Sequence, residues 1–433
     1  MNALFELFSS MRTVNNIDDF DNWAKKMIKG GSMDPRQPNR TGVLIQELGK
    51  MYVHSILSGV KTSMRAIMGT STATFMRPAS QVVGATMTGD RATQRASLSA
   101  MNAMIQAIPE SFELFRTRLN SYWSGDMSSV KTRFYDYAQD DANWELLRRY
   151  YEDSGRASLG DRALFAMANM ARQANNSNLL TYSTKLMAAT DDSFAYILGR
   201  ARMREKAMRR IMDLETKGYD IPEITPEFMR AYENDFHSQV WDAQGNLTDE
   251  ATKWARKEVT LTADLKGFAK KLEDAFAATP WSKPFFLFAR TGVNGLTLTA
   301  KHTPGFNFLV KEFNDIARAT PDNLAAVAEY GIKTSEDLAN AKALQNGRLA
   351  IGSAVTFMAG QAFLNGNLTG NGPVDRQKRQ AWIDAGYRPR QIKLGGVWVG
   401  YDSVEPFNLI FSTIGDIGDY SLLMGDEWTE QQF

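Results

Sequence analysis

The sequence predicts a mainly α-helical chain: an elongated multi-helix assembly with one small β-hairpin near the C-terminus. Three observations carry that expectation. Long stretches are rich in Ala, Leu, Met, Lys, Arg and Gln, with few β-branched runs, which is the composition of helices. Helix start and stop signals recur along the chain. The short alternating runs Gln391–Leu394 and Val397–Tyr401 are joined by Gly395–Gly396, the pattern of a tight hairpin.

Six segments follow from shifts in composition: 1–42, 43–90, 91–219, 220–283, 284–365 and 366–433. In the first, Met1–Met11 is amphipathic through Leu4, Phe5, Leu7 and Phe8, and reads as a helix that docks on a partner segment. It lacks the early basic region and long apolar core of a secretory signal. Residues 31–42 are a Pro/Gly/Asn-rich connector. In the second segment, Leu44, Leu48, Tyr52, Ile56 and Val60 lie close to i, i+4 spacing and give one apolar face. Lys61 and Arg65 lie on one helical face, either solvated or turned to phosphate or headgroups. The small, uncharged stretch Ala79–Gly89 then gives way to the polar Asp90–Arg95, a soft boundary near residue 90.

Residues 100–150 suggest two or three further helices. Residues 184–212 form one long helical candidate carrying Arg200, Arg202, Arg204, Lys206, Arg209 and Arg210, against Glu205 alone. Two readings of this run stand side by side. It can be a stripe making nonspecific contacts with DNA phosphates or lipid headgroups, or a face whose charges pair with acids elsewhere in the fold. Asp191–Asp192 reads as a metal or acid–base pair or as structural, and adjacent residues pointing to different helix faces favour the structural role.

Segment 220–283 reads as a helical insertion, with loops at Lys217–Pro226 and Ala243–Asp249. Thr225–Pro226–Glu227 and Thr320–Pro321–Asp322 each supply a cap, a first-turn proline and an acid. Gly331 closes the second of these helices, and Thr334 with Asp337 opens the next. The stretch after Asp242 lacks the alternating oxygen ligands and terminal Glu of a calcium loop.

Two apolar runs follow, Phe285–Ala300 and Leu349–Leu364. No charge falls between Leu349 and Val374. Sixteen residues at about 1.5 Å each give about 24 Å, short of a hydrocarbon core of about 30 Å. The run therefore reads as a buried core helix or as a conditional membrane-inserting segment. Leu349, Gly352, Ala354, Met358, Gly360 and Phe363 are its candidate membrane or packing residues, and Gly352, Ala359 and Gly360 would admit a close helix neighbour.

The C-terminal stretch Arg376–Ser421 is a helix–hairpin–helix module. A charged helix over Arg376–Ala385 ends at Gly386. In the hairpin, Leu394 faces Val397, Lys393 faces Trp398 and Ile392 faces Val399. One face is then apolar, and Lys393 can make a cation–π contact with Trp398 on the other. Glu405–Pro406 opens a last helix with Phe407, Ile410, Phe411, Ile414 and Ile417 at helical spacing.

Charge is balanced, with 50 basic and 49 acidic residues, so no global field attracts nucleic acid or anionic lipid. Cysteine is absent and the three histidines are scattered, which argues against disulfides, thiolate metal sites and a His-rich metal centre. No phosphate-binding Gly loop or nucleophile motif is visible, so a non-enzymatic chain without cofactors is expected, carboxylate chemistry aside. The 21 methionines suit adaptable helix surfaces or ordinary core filling.

Trp382, Gly386, Tyr387, Pro389, Ile392, Lys393, Gly395, Trp398, Tyr401, Glu405 and Pro406 form a block that resembles one in the large internal virion proteins of tailed phages and related polyvalent proteins. There it runs as a Trp or Leu, a short gap, a Gly-aromatic-x-Pro, an Ile-Lys-x-Gly hairpin, an aromatic-x-Ser/Gly-Tyr turn and a final Pro. Gly396 completes the hairpin turn here. Two further blocks are similar to the same family: Ile56–Thr70, where Val60 replaces a usual proline, and the region of Lys185, Met187, Ala188, Asp191, Asp192 and Phe194 with the basic run after it. The three blocks, about 52–76, 184–212 and 348–412, occur in the family's order.

That resemblance implies an internal virion (DNA-ejection) protein of a short-tailed phage, or a piece of one. It would sit in the virion interior near the portal, leave with the genome, and help form a conduit across the host periplasm and inner membrane. Implied partners are other internal virion proteins, portal or tail proteins, further copies of the chain, double-stranded DNA and the host membrane. A non-ejected adaptor on portal or tail is the alternative. Family members can carry a lytic transglycosylase with a Glu-Ser start. Glu110–Ser111 is followed by none of that enzyme's downstream Gly-rich and Met-Gln signatures, and the segment is not read as one.

Overall fold

A computed structural model describes residues 60–124, 159–175, 177–243, 245–264, 283–402, 404 and 406–430. The amphipathic N-terminal helix, the connector at 31–42, the apolar face up to Ile56 and Glu405 lie outside the described residues. The described chain is mainly helical, with a single two-stranded hairpin among the described residues, as the sequence predicts.

The α-helices of eight or more residues are α1 (Val60–Thr88), α2 (Arg91–Gln106), α3 (Ile108–Ser124), α4 (Leu159–Asn175), α5 (Asn178–Thr216), α6 (Pro226–Asp235) and α7 (Glu250–Val259). They continue as α8 (Lys283–His302), α9 (Lys311–Arg318), α10 (Ser335–Leu364), α11 (Arg376–Asp384) and α12 (Asn408–Glu430), with β1 (Gln391–Leu394) and β2 (Val397–Gly400) between the last two. Of the described residues, 60–64, 115–124, 159–175, 177–190, 264 and 283–292 belong to one compact unit, and 65–114, 191–243, 245–263, 293–402, 404 and 406–430 to a second.

Local chemistry sets most boundaries. Gly89, at φ +72°, ends α1, and the Asp90 carboxylate accepts from Thr93 N at 2.9 Å to start α2. The soft boundary near residue 90 is thus a helix break inside the second unit. Thr225 caps α6 through Phe228 N at 3.2 Å, with Pro226 in the first turn. Thr334 and Asp337 form a reciprocal capping box at the start of α10. Residues Pro321–Tyr330 form a 3-10 rather than an α-helix, kinked at Asn323, and Gly331 closes it at φ +78°. The last helix starts at Asn408, so Pro406 lies in the turn before it rather than in its first turn.

In the first unit, Tyr122, Ala188 and Ala189 form a small core with Phe115 and Leu119 around it. In the second, Ala73 of α1, Ala100 and Met104 of α2, Phe194, Ile197 and Leu198 of α5, Val259 of α7 and Leu298 of α8 form the largest of several apolar clusters. A second cluster joins Ile316, Val327, Tyr330, Ile332 and Leu338. Val355, Phe407 and Ile410 make a third, and Ala359, Leu368 and Tyr401 a fourth.

A close helix crossing pairs α1 with α10. A Cβ placed on Gly84 would lie 1.9 Å from the Ala343 carbonyl oxygen, and one on Gly347 would lie 1.6 Å from that of Ser80. Ser80 and Gly84 on one helix, and Ala343 and Gly347 on the other, are therefore two small-x-x-x-small pairs set backbone against backbone.

The hairpin has the predicted register: Leu394 opposite Val397, Lys393 opposite Trp398, Ile392 opposite Val399. Gly395 (φ +57°) and Gly396 (φ +87°) supply the two left-handed residues that a two-residue turn of this hand requires.

Candidate functional site

The basic run of α5 and the apolar run of α10 are both ordered in the second unit, and their surroundings can be read residue by residue. Arg202 sits between Glu205 (3.1 Å), Asp249 (3.3 Å) and Asp337, the capping-box acid of α10. Arg204 is buried against Glu233 of α6, which also lies 3.5 Å from Arg200. Lys206 reaches Asp249 at 3.3 Å. Arg209 donates to Thr93 Oγ1 of α2 at 3.0 Å and to the Asn340 side chain of α10. Arg210 is exposed, 3.7 Å from Asp213.

Of the two readings of the basic run, charge pairing inside the fold is the one the geometry shows for Arg200, Arg202, Arg204, Lys206 and Arg209. A cleft of about 450 Å³ borders the run, lined by Arg202, Lys206, Arg209, Arg210 and Lys333 and equally by Asp213, Asp249, Glu250, Glu336 and Asp337. Its charges cancel, which leaves no net pull on a phosphate. Asp191 and Asp192 share one partner, Arg256 of α7, so they anchor α5 to α7.

A second charged cluster lies deeper. Glu258 of α7 accepts two bonds from the Arg348 guanidinium of α10, at 3.0 and 2.7 Å. It also accepts from Lys301 of α8 at 2.6 Å and from Arg77 of α1. Lys301 turns a further bond to Glu312 of α9 at 2.7 Å. One buried carboxylate thus ties α1, α7, α8 and α10, and Lys301 extends the tie to α9. Burial alone would raise the Glu258 carboxyl, but Arg348, then Lys301 and Arg77, outweigh it and hold it well below the usual carboxylate range. A carboxylate held this firmly ionised is an acceptor and an anchor, not a proton donor at neutral pH. The neighbouring His302 is pushed down to about 3, first by burial and then by Arg348, and is therefore neutral. A cavity of about 100 Å³ lies beside this cluster, lined by Arg77, Lys301, Glu312 and Arg348 among others.

Arg348 immediately precedes the apolar run, so the cluster fixes how that run is presented. Gly352 is buried, and a Cβ there would lie 1.5 Å from the His302 carbonyl oxygen at the end of α8. Ala359 is buried against Leu368 and Tyr401. Gly360 has nothing within 4 Å of where a Cβ would stand, so it does not receive the close neighbour expected there. Phe363 packs on Gly418 of α12, whose Cβ would come within 2.2 Å of its ring. Leu349 is half-buried.

The opposite face of α10 is bare: Ala354 is exposed, and Phe357, Met358 and Leu364 are 69, 57 and 75 % exposed. Leu409, Ile417 and Tyr420 of α12 are also exposed, so Ile417 departs from the buried face its spacing suggested. Among the described residues no helix is long and apolar enough to cross a membrane. No group of three or more His, Cys, Asp or Glu able to hold a metal is present among them.

In the C-terminal module, Trp382 and Tyr387 meet edge to face at 5.2 Å across Gly386, which has φ +100°. Pro389 is half-buried at the entry to β1. Lys393 lies 6.0 Å from the Trp398 ring, the expected cation–π pair. Tyr401 is buried and donates to Thr369 O at 2.8 Å. Two acids of α12 grip the loop ahead of α11, a pairing that the sequence reading missed. Asp419 accepts from Gly370 N (3.0 Å), Gly372 N (2.9 Å) and the Tyr387 hydroxyl, and Asp416 accepts from Asn371 N at 2.6 Å. The three-residue spacing of these acids on one helix face was the available signal.

Comparison with protein-family models, with curated proteins and with solved structures returned no match.

Proposed function

We propose that this chain is a structural, assembly-forming protein of a phage particle: an internal virion protein that leaves with the genome and helps build the conduit for DNA across the host envelope. The observation that carries the reading is the bare apolar face of α10, with Ala354, Phe357, Met358 and Leu364 in a stretch that holds no charge from Leu349 to Val374. A large apolar face left in water calls for a partner surface, and a protein that assembles after release needs one held in reserve. The three ordered sequence blocks that resemble internal virion proteins supply the biological setting. DNA contact through the α5 basic run has less support, because its cations are occupied by acids of the same unit. The role proposed is structural rather than enzymatic.

The alternative, an adaptor that stays on portal or tail, draws on one observation of its own. Gly352, Val355 and Ala359 are buried in the fold, which is how an ordinary core helix sits. Quantitative mass spectrometry of full virions and of particles that have released their DNA separates the two. Loss of the protein with the genome supports ejection. Full retention overturns it and favours the adaptor.

A further inference from the structure

Among the described residues the outer edge of β2 has no partner. On β1 that edge is occupied: Lys393 N donates to Asn367 O at 2.7 Å, and Gln391 O accepts from Thr369 N at 3.0 Å. Lys393 and Gln391 therefore turn their backbone groups away from β2. Their opposite numbers, Trp398 and Gly400, must turn theirs away from β1, because the members of such a pair do not bond each other. No partner for these outward groups exists among the described residues. The strand is short, but Val397–Gly400 carries neither the charge nor the proline that commonly blocks pairing at an exposed edge.

We propose that β2 pairs antiparallel with β2 of a second copy of this chain, with Val399 on the two-fold axis, giving a four-stranded sheet. Parity selects this register. The two outward-facing residues flank one inward-facing residue. Centring on Val399 sets Trp398 against Gly400 of the second copy, and Gly400 against its Trp398. All four N–H groups and all four carbonyls on the edge are then paired.

The side chains agree with the register. Trp398 would stand opposite the one residue that has no side chain. Nothing inside the monomer demands glycine at 400. Its φ is not in the left-handed region, and a Cβ there would meet only Arg390 O, at 4.0 Å. On the other face Val399, 45 % exposed, would meet its own copy on the axis, Val397, 65 % exposed, would stand diagonal to that Val399 of the second copy, and no like charges are brought together.

The absence of native cysteine makes the test clean. In the proposed register Val399 forms a non-hydrogen-bonded pair with its own copy, at a Cα separation of about 4.5 Å, within disulfide range. Val397 would lie about 14 Å along the strands from its own copy, at about 3.4 Å per residue. V399C in the full chain should oxidise to a disulfide-linked dimer while V397C stays monomeric. Light scattering should show a dimer for the unmodified protein and a monomer for G400V, with unchanged circular dichroism. A V399C that stays monomeric under oxidation, a V397C that cross-links as readily, or an unmodified protein that is monomeric would each overturn the proposal.

Discussion

Glu258 and Arg348 form a two-point ion pair at 3.0 and 2.7 Å, and the two side chains are only 6 and 5 % exposed. They belong to α7 and α10, ninety residues apart in the chain. With Lys301 and Arg77 on the same carboxylate, removal of Glu258 would leave two buried cations and the partly buried Arg77 without their shared partner. E258Q should therefore destabilise the fold by about 3–5 kcal/mol, as loss of one member of a buried pair does. Urea unfolding at neutral pH measures it. A change below about 1 kcal/mol would mean that water reaches the cluster.

The same carboxylate predicts a pH dependence. Its folded pKa lies below the ordinary Glu value of 4.5, so its stabilisation is in place above that value and is lost as pH falls through the lower, folded one. E258Q should flatten the part of the stability–pH curve below about pH 4.5 and leave the part above it parallel to that of the unmodified protein.

His302 acts in a different window. It is 2 % exposed, its Nδ1 lies 2.8 Å from Leu298 O, and its ring packs on Phe407 at 5.6 Å. Its folded pKa of about 3 is below the unfolded value of 6.5, so the unfolded chain takes up the proton first as pH falls. Stability is complete above about pH 6.5 and drains away between there and about pH 3, by a few kcal/mol in all. NMR titration of the ring should show no midpoint above pH 4, and one near 6.5 would contradict the burial.

What was legible in the sequence was local. The Gly395–Gly396 turn, the Lys393–Trp398 pair, the Thr334–Asp337 box and the Thr225–Pro226 start each involve residues within a few positions of one another, and sequence spacing determines them. The fate of the α5 cations was not legible. Arg202 and Arg209 find partners 135 and 131 residues away, and only the packing of α10 on α5 brings those acids and amides into reach. The apolar run at Leu349–Leu364 was visible as a run, but which of its faces is covered depends on α8 and α12. The tight crossing at Ser80, Gly84, Ala343 and Gly347 lay just N-terminal to that run, and small residues alone do not announce which helix they meet.

That crossing yields a paired prediction. A methyl group at Gly347 would meet the Ser80 carbonyl, whereas one at Gly360, on the same helix, meets nothing. Alanine should therefore be destabilising at 347, by about 1–3 kcal/mol as overpacking is. At 360 it should be neutral or stabilising by up to about 1 kcal/mol, because alanine costs less helix entropy than glycine. Thermal unfolding of G347A and G360A decides it, and equal effects at the two sites would mean that the crossing is looser than the geometry states.

The bare face of α10 gives the last. Ala354 and Met358 lie one turn apart on it, and both side chains are free of the core. Acidic substitutions there should leave stability within about 0.5 kcal/mol, as at other exposed positions. They should nonetheless abolish any permeabilisation of liposomes by the full chain, since each carboxylate would have to be desolvated for that face to enter lipid. Dye release from vesicles, measured for the unmodified protein and for A354E/M358E with matched unfolding curves, separates lipid insertion from loss of fold. Release that survives both charges would remove α10 from the membrane part of the proposal. The face would then have to be assigned to protein–protein assembly, which the same double variant tests through its effect on particle incorporation.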